Sequence, residues 1–170
     1  MLATGCEPND DLTEWTCDLR EGVTFHDGST FDANDVVATW AAGIDLADPN
    51  HTGNTGSFDY YSYLWDGLMD SSAAPSEEAE PEAEAEPMGM VVESADGCDY
   101  GGKIERIAAL DDMTVEFNLC KPDPAFMAKI AFIPFGIQPK EWLDETGGTG
   151  EILEKPVGTG PYMVESWNRG

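Results

Sequence analysis

The sequence has 170 residues, enough for one domain with its own hydrophobic core. Its 8 basic residues stand against 34 acidic ones, and the formal charge of -26 repels DNA, RNA and anionic membrane surfaces, so nucleic-acid binding is the first class excluded. No apolar run reaches the roughly 18 residues of a membrane-spanning helix, and so acidic a surface stays dispersed in high salt, where screening relieves its self-repulsion.

The start, Met1-Leu2-Ala3-Thr4-Gly5-Cys6, has the outline of a lipoprotein cleavage box but lacks the charged and apolar stretches that precede one. Met1 is therefore read as an internal or truncated start. Trp15-Thr16-Cys17-Asp18-Leu19 alternates apolar and polar side chains, the pattern of a half-buried strand. Asp27-Gly28 supplies the left-handed position of a tight turn. A helix is predicted over 33–45, with Asp32 as N-cap, Asp35 three residues on, and Val36, Val37, Trp40, Ala41 and Ile44 as one apolar face. Asp48-Pro49 ends it. The next segment is strongly aromatic, with Phe58, Tyr60, Tyr61, Tyr63 and Trp65 close together.

Residues 71–97 carry Glu77, Glu78, Glu80, Glu82, Glu84, Glu86, Glu93 and Asp96 and no base, and they are read as an acidic, disordered insertion that cannot bury enough surface to offset its chain entropy. Residues 104–110 and 114–120 flank Asp111-Asp112-Met113 as a hairpin, with Val115, Phe117 and Leu119 on one face. Asp123-Pro124 predicts a helix opening at once, with Phe126, Met127, Ile130 and Ala131 as its buried stripe. A second short helix is expected from Pro139. The glycine turn Gly158-Thr159-Gly160 then leads into a predicted final strand over 162–167.

Four cysteines without C-x-x-C spacing argue against zinc and for two disulfides, with three pairings open. The favoured pairing is Cys6 with Cys17 and Cys98 with Cys120, because in each case one partner lies on a strand-like run and the other just outside a neighbouring one. Buried unpaired thiols are the alternative. Disulfides imply an oxidising compartment.

Four segments in this order and spacing resemble family 5 of the bacterial extracellular solute-binding proteins, the group carrying oligopeptides, dipeptides and, in some members, nickel. They are Leu19-Arg20-Glu21-Gly22-Val23-Thr24-Phe25-His26-Asp27-Gly28; Phe31-Asp32-Ala33-Asn34-Asp35-Val36-Val37; Asp111-Asp112-Met113-Thr114-Val115-Glu116-Phe117 with Lys121-Pro122-Asp123-Pro124; and Pro156-Val157-Gly158-Thr159-Gly160-Pro161-Tyr162. The resemblance implies a mixed α/β chain forming an incomplete part of lobe I of a type II periplasmic-binding-protein fold, which closes on ligand by hinge motion. Residues 1–70 are its first part, 71–97 the insertion, and 98–170 a second part truncated at its C-terminus.

What the resemblance implies for function is capture of a small peptide or similar solute and delivery to the transmembrane subunits of an ABC permease. The location implied is the periplasm or the outer face of the cytoplasmic membrane, with membrane contact only through the permease or a missing lipid anchor, and the signal peptide absent from this fragment. No cofactor is expected. Phe58, Tyr60, Tyr61 and Trp65 are the candidate ligand-binding residues, since peptide pockets combine apolar walls with a few phenolic donors, and similarity to the corresponding family segment favours Tyr60 and Tyr61. Ordinary core packing is the competing reading of these aromatics.

Two other classes compete with this reading. Asp48, Asn50, Thr52, Gly53, Asn54 and Asp59 imitate the spacing of a calcium loop, which makes a calcium-stabilised adhesion or surface-layer module the alternative, although Pro49 and the non-standard Thr52 and Asp59 spoil the pattern. An enzyme is not expected, because His26-Asp27 and Asp111-Asp112 are sequence neighbours that point to opposite strand faces, and no motif with catalytic mechanics is present.

Overall fold

The period-two alternation of Trp15, Cys17 and Leu19 becomes the buried face of a strand, and four further strands assemble around it. The computed structural model describes residues 1–51, 59–72 and 87–168. Strands β1 (Ala3–Pro8), β2 (Glu14–Leu19), β3 (Val91–Glu93), β4 (Ile104–Asp111) and β5 (Thr114–Leu119) form one antiparallel sheet in the order β1-β2-β5-β4-β3. Helices α1 (Ala33–Ile44), α2 (Tyr60–Leu64), α3 (Phe126–Ile130), α4 (Lys140–Thr146) and α5 (Glu151–Glu154) complete the secondary structure, with short 3-10 turns at Gly97–Tyr100 and Ile133–Phe135.

Register sets the two faces. Trp15 lies opposite Phe117, Cys17 opposite Val115, and Ile107 opposite Phe117, so one face is a continuous apolar surface. Val37, Trp40 and Ile44 of α1 cover it. The other face is polar, and Arg106 reaches Glu116 at 2.8 Å and Asn118 at 3.4 Å across it. Helix α1 starts where the sequence predicts. The Asp32 carboxylate accepts from the Asn34 and Asp35 amides, and the Asp35 carboxylate accepts from the Asp32 amide at 2.9 Å, a reciprocal capping box.

Asp35 also accepts from the Lys140 amide at 2.7 Å, and the Thr39 hydroxyl, one turn on, accepts from the Gln138 amide at 2.9 Å. These two contacts seat the start of α4 on α1. Burial pushes the Asp35 carboxyl up to about 6, against the pull of the Lys140 and Asp32 amides. Because the folded chain holds this proton more tightly than the unfolded one, the stability it contributes is complete below pH 4 and is lost as pH rises through about 6. Urea unfolding is expected to show a loss of about 1–3 kcal/mol from this group between pH 4 and pH 7. Asp35→Asn should flatten that slope, and an unchanged slope would rule the assignment out.

Several expectations are corrected. Part of the segment read as a disordered insertion over 71–97 belongs to the sheet: the Met88 and Gly89 amides donate to Leu110 and Ala109, the Met90 amide donates to the Asn34 side chain, and β3 pairs with β4. Its low-complexity part, 73–86, lies outside the described residues. The helix expected directly after Asp123-Pro124 starts later, at Phe126. Buried Asp123 instead makes a turn, donating its amide to Leu12, accepting from Ala125 and pairing with Lys129. Of the predicted stripe only Phe126 is fully buried, while Met127 and Ala131 are exposed. Residues 162–167 form no strand, because a strand exists only when an edge receives its amides and carbonyls, and no strand among the described residues does so. Strand β1 went unpredicted.

Candidate functional site

The aromatic segment after the Asp48-Pro49 break is pinned by its polar residues. Asp59 caps α2 by accepting from the Tyr61 amide at 2.9 Å, and Lys103, in the loop before β4, pairs with Asp66 at 3.0 Å. This fixes which rings turn inward. Tyr61 lies over Gly43 of α1, where a Cβ would come within 2.3 Å of its ring, so a glycine is what lets the helix approach. Tyr61 and Trp65 both pack on Trp40, at ring distances of 5.4 and 5.5 Å. Burial pushes the Tyr61 phenol up, and the Lys129 ammonium sits 5.0 Å above the Trp65 ring.

The candidate set therefore divides. Tyr61 and Trp65 are core residues, at 6% and 0% exposure, and offer no surface to a ligand in this arrangement. Tyr60, at 36%, points the other way. Phe58 lies outside the described residues, as do Thr52, Gly53 and Asn54 of the calcium-like loop. Of that loop, Asp48 accepts from the Asn50 amide and Asp59 serves as the α2 cap. Among the described residues no group of three or more His, Cys, Asp or Glu side chains is placed to hold a metal ion.

Tyr60 meets a partner that the sequence reading missed. Its ring stands edge-on to Phe132 at 5.3 Å, and Phe132 and Ile133 are themselves 42% and 89% exposed. Behind this rim lies a cavity of about 370 Å³ between the sheet's apolar face and the segment 127–137. Leu19, Phe31 and Phe117 wall one side, and Met127, Ile130 and Phe135 the other. Among the described residues no ionisable side chain lines it, so its walls can hold an apolar group. A legible signal did exist: Phe132 and Phe135 form an aromatic pair interrupted by Pro134 just after a short helix.

The whole chain, residues 1–170, matches the family model of bacterial extracellular solute-binding proteins, family 5 Middle. The chain belongs to this family. The dipeptide-binding protein of Escherichia coli (strain K12) is 28% identical over 177 residues, covering 99% of this chain and 27% of that protein. The Helicobacter pylori periplasmic binding protein DppA, solved in complex with peptide STSA, superposes with a TM-score of 0.68 at 25% identity, covering 99% of this chain and 28% of that one. A Pseudoalteromonas dipeptide-binding protein solved with Met-Leu shares the fold, with a TM-score of 0.69 at 23% identity, covering 99% of this chain and 28% of that one. This family 5 chain thus spans 27% of the length of the first curated relative it matches.

Both expected disulfides are present in the family 5 chain. Cys6 and Cys17 are directly paired residues of β1 and β2, and Cys98–Cys120 ties the 3-10 turn at Gly97–Tyr100 to the end of β5. Among the described residues no helix is long and apolar enough to cross a membrane.

Proposed function

We propose that this chain is part of the substrate-binding subunit of an ABC importer, which captures a peptide or related small solute outside the cytoplasmic membrane and delivers it to the permease. The match of all 170 residues to the family 5 model is the observation that carries the reading. The dipeptide-binding relative and the peptide-bound structural neighbour support a peptide as the solute. Ligand would be gripped between this lobe and the rest of a longer protein, and closure would follow from tighter binding to the closed state.

Within this chain the rim of Tyr60, Phe132 and Ile133 is the ligand-facing surface. It combines a phenol with apolar walls, beside a cavity able to take a side chain. Native mass spectrometry of the full-length protein, purified without denaturation, should show a spread of co-purified masses matching short peptides. Tyr60→Ala with Phe132→Ala should weaken peptide binding by about 10-fold or more, as loss of anchoring aromatics does at other binding surfaces. Full affinity in that variant would remove the rim from the site, while an absence of any organic ligand, with no response to added peptides, would sink the peptide reading.

A further inference from the structure

The cavity behind the Phe132 rim has one fixed wall and one adaptable wall. Cys6 and Cys17 both line it and are joined covalently across β1 and β2, so the sheet side is held in place. The facing side is built from α3 and the 3-10 turn after it, both short, and Met127 there has an unbranched side chain that adjusts to the shape it meets. Gly136 belongs to the same wall, at φ -65° and ψ 128°, backbone that any residue adopts. Among the described residues a Cβ there would approach only the Ile133 carbonyl oxygen, at an ordinary 3.5 Å. Neither backbone nor crowding demands a glycine at this position, and its effect is to leave space at the cavity wall unfilled.

We infer that this cavity is a specificity pocket for one large apolar side chain of the bound peptide, of the leucine, methionine or phenylalanine class, with the peptide backbone held outside at the rim of Tyr60, Phe132 and Ile133. The inference rests on the peptide reading proposed above. Every side chain lining the cavity among the described residues is apolar. A peptide backbone drawn inside would give up its hydrogen bonds to water and find no side chain to replace them, and a charged side chain would lose more, whereas an apolar side chain forfeits nothing and gains contact on both walls. The volume of about 370 Å³ has room for the largest of these side chains. Because the Met127 wall adapts while the bridged wall does not, the pocket selects a class of side chain and not a single residue.

The test is isothermal titration calorimetry of the full-length protein with two peptide sets, Ala-Xaa and Ala-Xaa-Ala, in which Xaa is Gly, Leu, Met, Phe, Gln or Glu. Leu, Met and Phe peptides should bind about 10- to 100-fold tighter than the Gly peptide, as burial of such a side chain gives. Met and Gln have nearly the same shape, so the expected preference of about 10-fold for Met reads polarity alone. Gly136→Leu puts a side chain on the cavity wall and should cut the Leu-over-Gly ratio to about threefold or less, with the Gly peptide itself little changed. Ile130→Ala widens the same wall and should move the preference from Leu toward Phe. Equal affinity across a set, Met no better than Gln, or a preference that both variants leave unmoved overturns the pocket and leaves the peptide reading standing. No binding by any member of either set sinks the peptide reading, and the pocket with it.

Discussion

Reduction of both disulfides is expected to lower the free energy of unfolding of the chain by about 6 kcal/mol, roughly 3 for each bridge on a loop-entropy basis. Cys6 and Cys17 are 11 residues apart and Cys98 and Cys120 are 22 apart, so the second bridge closes the longer loop and removes slightly more freedom from the unfolded chain. Against a total domain stability of about 5–15 kcal/mol this is a large share. The bridges also act where other constraints are weak. Strand β1 lies at the edge of the sheet, joined among the described residues only to β2, and the turn at Gly97–Tyr100 directly precedes the loop that carries Lys103. Urea titrations followed by circular dichroism, with and without reductant, measure the effect, and paired cysteine-to-alanine variants apportion it. A joint shift below about 1 kcal/mol would mean that the reduced chain keeps these contacts without covalent help.

Trp40→Ala is expected to cost about 3–5 kcal/mol, the range for removing a large buried aromatic. Trp40 is the point where separate elements meet: its ring lies 5.2 Å from Phe117 of β5, 5.3 Å from Phe135, 5.4 Å from Tyr61 and 5.5 Å from Trp65. Sheet, α2 and the cavity-lining segment therefore all lose a wall together. Each ring pair adds about 0.5–1.5 kcal/mol beyond area burial, but these contributions share one side chain and will not sum. Trp40→Phe should recover more than half of the loss in a urea midpoint. If Trp40→Ala costs under 1 kcal/mol, the cluster is not the keystone of this core.

Most of the framework was legible because it depends on neighbours in the chain. The capping box from Asp32 to Asp35 needs four residues, and the β4–β5 hairpin needs only Asp111-Asp112-Met113 and the alternation on either side. The disulfide pairing was legible for a similar reason: each bridge spans one hairpin or one loop. The aromatic segment was not. Five rings within a few residues announced burial or binding, but which ring does which was fixed by a glycine on α1 and a lysine before β4.

What the sequence by itself determined about this protein is its family, the position of α1 and the central hairpin, all of them carried by local motifs and their order, and it favoured the pairing that the two bridges show. Tertiary structure alone decided that Tyr61 and Trp65 face inward while Tyr60 faces Phe132, and that Val91–Glu93 joins the sheet beyond an acidic stretch. It also decided that 162–167 pairs with no strand among the described residues and that His26 reaches Gly158 and Gly160. The physical reason is the same in each case: a side chain's direction and a strand's existence depend on a partner brought near by folding, and no periodicity in the partner's absence encodes it.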